Sequence, residues 1–364
     1  MNRIYMSTLF ESVGISLSGD IFTTLKDLCD LPGPVGREGV VQKRIREELS
    51  QYCDEIKTDK IGNLTATMEG TKSHYAVVAH ADEVGFLVSS IDDNGFIQAK
   101  WNTQGYQPDM RLMPGQRVLF MSDQGMIPGC FCVKTAHIAG AKGKKKIPSW
   151  DEVFIDIGAE SSEEVHEMGI DIGTHLVYDA GIEQIGKNVV GKSLDDRVGL
   201  AVILHLAKLF SQLPQVKKPR VTFVSTVMEE IGAKGASAVA DEMDVDAVLV
   251  LEIGLADDYP GTQGEANVDL GKGPVIVIKD NQIVYSHELT KALGNISKEK
   301  GIETQKAVYH NYATDGYRMA SQGQKVAAIG VPCRYSHSSF ETIRIDDVKN
   351  TLKLVYEFLL RNHR

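Results

Sequence analysis

Two adjacent glutamates, Glu229 and Glu230, follow the apolar and β-branched run Val221-Thr-Phe-Val-Ser-Thr-Val227. Such a run reads as a buried strand. Paired acids at the end of a buried strand constrain the fold strongly, because two close carboxylates repel each other and lose hydration. The usual relief is a metal ion, or one acid held protonated for catalysis. Three other segments carry complementary groups: His80-Ala-Asp82-Glu83, Leu194-Asp195-Asp196-Arg197 and Arg334-Tyr-Ser-His337.

The surrounding pattern is α/β. Glu38 to Tyr52 has helical periodicity, with Val40, Val41, Ile45 and Leu49 on one stripe. Leu64 to Met68 and Tyr75 to His80 read as strands. A helix over Asp195 to Leu213 turns Val198, Ala201, Val202, His205, Leu206 and Leu209 inward. Then follow strand Val221 to Val227, helix Ala233 to Glu242, and strands Ala247 to Glu252 and Val275 to Ile278. A helix near Ile283 to Lys300, a strand at Lys325 to Val331 and a helix at Ile345 to Leu360 complete the chain. Continuous apolar strands alternating with helices imply a layered fold around a buried sheet.

The stretch 87–182 differs. Gly95-Phe-Ile-Gln98, Gln116-Arg-Val-Leu-Phe120 and Val153-Phe-Ile-Asp-Ile157 are short strand-like runs broken by Gly and Pro, with no long amphipathic helix. It reads as a small β-rich domain inserted into the α/β domain, which then comprises 1–86 and 183–364. Within it, Ala141-Lys-Gly-Lys-Lys-Lys146 reads as a solvated loop, and Cys130-Phe-Cys132 as a strand with alternate residues on one face.

Singly, the polar segments have ordinary readings. Asp195 also reads as a helix N-cap, Asp196 as a first-turn acid suited to the dipole, and His337 as a loop histidine. Together they fall at the carboxyl ends of strands or in the loops that follow, where ligands bind in open α/β sheets. Glu252 ends a strand in the same way. Two histidines with three carboxylates suit two divalent ions with one bridging carboxylate, leaving one acid free as a base. Asp82 is placed to hold the far ring nitrogen of His80.

The order of these motifs resembles metallopeptidase family 42, the tetrahedral (TET) or deblocking aminopeptidases, some of whose members carry the label endoglucanase M. The resemblance rests on Leu28-Cys-Asp-Leu-Pro-Gly-Pro-Val-Gly-Arg-Glu38, Gly62-Asn-Leu64, His80-Ala-Asp-Glu-Val-Gly-Phe86, Phe154-Ile-Asp-Ile-Gly158, Lys192-Ser-Leu-Asp-Asp-Arg-Val-Gly199, Glu229-Glu-Ile-Gly232, Pro260-Gly261, Thr314-Asp315 and Pro332-Cys-Arg-Tyr-Ser-His337. It implies a three-layer α/β/α peptidase domain with an inserted β-barrel-like domain used in dimerisation, the dimers building a hollow dodecamer. It implies one metal on His80, Asp195 and Glu252 and a second on Asp195, Glu230 and His337. Zinc is the first expectation, with cobalt or manganese as alternatives. Glu229 matches the catalytic base and Asp82 the residue orienting His80; Thr314 and Asp315 match the substrate pocket. Glu252 departs from the Asp usual there. The implied activity is hydrolysis of N-terminal residues from peptides. A metal-dependent deacylase or carboxypeptidase on the same fold, a glycosidase using Glu229 with a second acid, and a non-catalytic scaffold are the alternatives.

Composition narrows the setting. A net charge of −10 leaves no basic excess for nucleic acid. No apolar run spans a bilayer, and Met1 to Gly19 lacks a compact apolar core with a cleavage site, so a cytoplasmic protein is expected. Five loosely spaced cysteines (Cys29, Cys53, Cys130, Cys132 and Cys333) fit a reduced compartment.

Overall fold

The computed structural model describes residues 17–361 except 72, 106, 144, 216, 217, 263 and 265. Residues 1–16 of the stretch read for a signal sequence, and Lys144 of the basic loop, lie outside the described residues. The chain enters through α1 (Leu17–Cys29), α2 (Gly39–Leu49), β1 (Glu55–Thr58), β2 (Leu64–Met68) and β3 (His74–His80). It then runs through β4 (Phe86–Ile91), β5 (Ile97–Trp101), β6 (Arg117–Ser122), β7 (Gly125–Cys132), α3 (Ala136–Gly143), β8 (Phe154–Asp156), α4 (Ser162–Glu167) and β9 (His175–Tyr178). Next come β10 (Glu183–Ile185), β11 (Asn188–Gly191), α5 (Leu194–Ser211), β12 (Arg220–Thr226), α6 (Lys234–Ala240), β13 (Ala247–Leu255) and β14 (Val275–Lys279). α7 (His287–Lys300), β15 (Gln305–Val308), α8 (Gly316–Ser321), β16 (Val326–Cys333), β17 (Glu341–Arg344) and α9 (Ile345–Arg361) follow.

Eight strands form one sheet in the order β1-β2-β12-β3-β13-β16-β14-β15. Its middle four, β12, β3, β13 and β16, are mutually parallel. They are buried on both faces, which is why their sequences are continuous apolar runs rather than alternating ones. Along β3 the side chains alternate between two layers. Val77 and Ala79 pack with α1, α2, α5, α7 and α9, whereas Ala76 and Val78 pack with α6 and α8.

α5 lies inside the first layer. From Leu194 to Phe210 only Lys208 escapes burial, so this helix is apolar nearly all round rather than along one stripe. It approaches β3 so closely that a Cβ on Gly199 would stand 2.9 Å from the Ala79 methyl and 2.5 Å from an Asp196 carboxylate oxygen. α2 corrects one expectation. Val40 is exposed, and Gln42 takes the inward place beside Val41, Ile45 and Leu49, where its amide donates to the Ser225 carbonyl at 2.9 Å.

Between β3 and β10 the chain leaves the sheet and closes a six-stranded barrel, in the order β4-β5-β8-β7-β6-β9. Phe86, Phe120, Phe131, Ile155 and Leu176 fill it. The rings of Phe131 and Tyr178 meet Phe86 edge-on at 5.0 and 5.5 Å. Phe131 points inward between Cys130 and Cys132, as an alternating strand requires. No helix among the described residues is long and apolar enough to cross a membrane.

The parallel register brings the carboxyl ends of the central strands to one edge. Thr226 of β12 pairs with His80 of β3, and Glu252 of β13 pairs with Gly330 of β16. The segments that follow β12 and β16 deliver Glu229, Glu230 and His337 to the same edge.

Candidate metal centre

His80 ends β3 and is almost fully buried. Its Nδ1 lies 3.1 Å from the main-chain carbonyl of Asp82, and Nε2 faces Asp195 Oδ1 at 3.2 Å and Glu252 Oε2 at 3.7 Å. An Nδ1–H donated to that carbonyl fixes the tautomer and leaves Nε2 free to ligate. On the other side, His337 Nε2 lies 3.3 Å from Glu230 Oε2 and 3.6 Å from Asp195 Oδ2. One carboxylate, Asp195, therefore stands between two imidazoles, with one oxygen toward each. Ligand atoms of His80, Asp195 and Glu230 lie within 4.8 Å of one another, as do those of His80, Asp196 and Glu252.

Asp195 and Asp196 depart from the helical readings. Neither has helical backbone angles, and the peptide bond joining them is cis. Asp195 turns its side chain to the histidines instead of capping α5. Asp196, which the sequence reading assigned to the helix dipole, is wholly buried and accepts main-chain N–H groups of His80 at 3.3 Å and Gly199 at 3.0 Å. Asp82 has a second set of partners besides the His80 ring. Its carboxylate is 3.6 Å from the His80 ring and accepts the main-chain N–H groups of Glu229 and Glu230, each at 2.9 Å. The acid pair is thus held through its backbone, with neither side chain used in that hold.

Glu341 went unremarked in the sequence. It is buried, and its carboxylate accepts the main-chain N–H groups of Asp195 at 3.1 Å and His337 at 2.8 Å. The available signal was an acid four residues beyond His337 at the head of a strand. Glu83, Lys192 and Arg197 form the other unforeseen cluster. Glu83 accepts from Lys192 Nζ at 2.7 Å and from the Gly33 N–H at 2.9 Å, and Arg197 Nη2 lies 3.7 Å away. Arg197 also donates to the Leu28 carbonyl at 2.6 Å, tying the Leu28-to-Glu38 segment to the start of α5.

Charge is unbalanced at the centre. Glu83 has cationic partners, but among the described residues the acids around His80 pair only with the two histidines. Burial pushes Glu230 up to about 7 and Asp315 up to about 6. Burial also lifts Glu229, Asp196, Glu252 and Glu341 well above the carboxylate range. For His80, burial opposes the cation, yet the surrounding carboxylates, Asp195 first, raise its pKa well above the ordinary value. Glu230 Oε1 is buried with no hydrogen-bond partner. This donor set fits divalent ions of borderline hardness: imidazole and carboxylate ligands, excess negative charge and an orphaned oxygen.

A cavity of about 540 Å³ opens onto the cluster and is lined in part by Asp195, Glu229, Glu230, Glu252 and His337. Thr314 and Asp315 do not line it. Both are buried, Thr314 against the Tyr285 hydroxyl at 2.8 Å and Asp315 against the Thr226 hydroxyl at 2.5 Å. Tyr312, Ala313, Tyr317 and Arg318, on either side of them in sequence, line the cavity instead.

A family model described as M42 glutamyl aminopeptidase matches residues 62–354. FrvX of Escherichia coli K12 is 33% identical over 342 residues, covering 92% of this chain and 94% of its own length. The lysyl aminopeptidase of Pyrococcus furiosus is 28% identical, covering 92% and 95%. Among solved structures, the TET1 peptidase of Pyrococcus horikoshii is 29% identical with a TM-score of 0.83, covering 94% and 99%; it can assemble into a tetrahedron or a large octahedral shell. A Thermotoga maritima structure named endoglucanase is 26% identical with a TM-score of 0.74, covering 92% and 96%.

The raised pKa values have a thermodynamic consequence. A carboxyl with a higher pKa folded than unfolded binds extra protons when folded, so its contribution to stability is lost as pH rises. Glu230 does this between its ordinary 4.5 and about 7, and Asp315 between 3.8 and about 6. His80, raised above 6.5, contributes stability below that value and loses it as pH rises. All three act in one direction. The metal-free protein should therefore lose thermal stability from about pH 5 to about pH 8, and saturating divalent metal should remove the decline. Calorimetric melting temperatures with chelator and with metal measure this; a melting temperature that climbs over the same range in chelator contradicts it.

Proposed function

The chain belongs to the M42 glutamyl aminopeptidase family, and from that premise we propose the division of labour among its residues in a metallo-aminopeptidase. The observation that carries the reading is Asp195 between His80 and His337. His80, Asp195 and Glu252 would hold one divalent ion, and Asp195, Glu230 and His337 a second, with zinc the first candidate. Bound there, the ions supply Lewis-acid charge for the scissile carbonyl and the attacking water. Glu229, open to the cavity and bound to Asp82 only through its backbone, takes the proton of the water and returns it to the leaving nitrogen. Peptides with a free N-terminus are the substrates, and the cytoplasm is the compartment.

The adjacent acids separate experimentally. Glu229→Gln should keep both metals and lower kcat by about 10²–10⁴-fold, the scale of a lost general base, with little change in KM. Glu230→Gln should lower metal content instead. Metal analysis beside steady-state kinetics distinguishes them, and metal loss confined to Glu229→Gln would reverse the roles. Chelation addresses the glycosidase reading, which gives the histidines no part: activity that survives metal removal would favour it.

The cavity's remaining charges bear on selectivity. Asp109 is engaged by Arg111 at 2.8 Å. Lys234 and Arg318 also line the cavity and have no carboxylate partner among the described residues; Arg318 stacks 4.7 Å from the Tyr317 ring centre. These two cations, apart from the candidate metal ligands, favour an acidic N-terminal side chain. Lys234→Glu should shift the ratio of glutamyl to lysyl substrate turnover by roughly tenfold toward lysyl, the scale of one surface charge contact. An unchanged ratio of kcat/KM values removes Lys234 from specificity.

Self-association is assigned to the inserted barrel, in dimers that build a dodecamer. The barrel carries none of the candidate ligands and exposes Met126, Ile138 and Ile172. Ile138→Asp combined with Ile172→Asp should lower the sedimenting mass; an unaltered assembly would exclude this surface.

A further inference from the structure

Two of the candidate ligands sit on backbone that no regular element holds. Asp195 precedes the helical part of α5 with non-helical angles, and His337 lies in the turn after β16 at φ 64°. Main-chain N–H groups in such enclosed positions need acceptors, which folded proteins nearly always supply. Glu341 satisfies both, one carboxylate oxygen on each. The backbone of Glu341 is itself fixed from two sides. It faces Gly191 in the β11–β17 ladder, four residues before Asp195, and its neighbour Thr342 bridges Arg334, three residues before His337.

The geometry points to Glu341 as a positioning residue that sets the distance from Asp195 to His337, and so shapes the second metal position. This rests on the metallopeptidase reading above. The first position shares Asp195 but has two ligands supported independently: His80 by the Asp82 carbonyl and the Asp196 carboxylate, and Glu252 from within β13. Loss of Glu341 displaces two ligands of the second position, Asp195 and His337, and only the shared Asp195 of the first, and should therefore weaken the second ion more than the first. A glutamine there offers one acceptor oxygen and turns an NH2 group toward the second N–H, so shape is kept while one clamp is lost.

The test is titration of the chelated full-length protein with Co²⁺, followed by visible absorption and checked by equilibrium dialysis. Wild type should take up two ions. Glu341→Gln should bind one about 10–100-fold more weakly, the usual cost of a lost outer partner at a metal site, and the other with a clearly smaller loss. Glu341→Asp keeps a carboxyl group with two oxygens on a shorter arm and should show a smaller loss at the same ion, which preserves the test if the glutamine variant does not fold. Unchanged affinities in the aspartate variant and in any folded glutamine variant overturn the proposal, and so does an equal weakening of both ions. A wild-type protein that binds no ion overturns the metallopeptidase reading itself, a separate failure visible before any variant is made.

Discussion

Carboxylates buried without matching cations govern this molecule. An unpaired buried charge costs several kcal/mol, and several together approach the whole stability of a typical domain, about 5–15 kcal/mol. Glu83 shows how the fold settles such a charge when it can, with Lys192 at 2.7 Å and Arg197 behind it. At the sheet edge only His80 and His337 stand among Asp195, Asp196, Glu229, Glu230 and Glu252. The parallel strands, the tight approach of α5 to β3 and the non-helical start of α5 all serve to gather that charge.

Main-chain amides do much of the gathering. Asp82 takes two of them from the acid pair, Asp196 takes those of His80 and Gly199, and Glu341 takes those of Asp195 and His337. Each acid spends its oxygens on backbone and thereby fixes where a neighbouring side chain starts. The arrangement sets directions without spending the ligands themselves.

This explains what the sequence made legible. His80, Glu229 and Glu230 stand at the ends of apolar runs, where a polar residue is conspicuous, whereas Glu252, expected to end its strand, interrupts β13, which continues to Leu255; the alternation of strands and helices outlined the sheet. Asp196 and Glu341 act through backbone N–H groups, and no periodicity marks a carboxylate that binds main chain far away in sequence. Thr314 and Asp315 lie next to residues that reach the cavity, but α8 begins there and turns those two inward. Val40 and Gln42 exchanged places because a buried amide found the Ser225 carbonyl. Burial followed a hydrogen bond rather than hydropathy.

The loop after β5 reaches back from the barrel to the sheet edge, where the Gln104 N–H meets the Glu230 carbonyl at 2.8 Å. Gln104, Asp109 and Leu112 then line one part of the cavity, while the candidate ligands line it from the sheet edge. The cavity is therefore lined from two stretches of chain, the loop after β5 and the sheet edge that also carries Lys234 and Arg318. Drift within 102–112 can reshape what enters the site while every ligand-bearing strand stays untouched. One catalytic edge can in this way serve a lineage of enzymes with different diets.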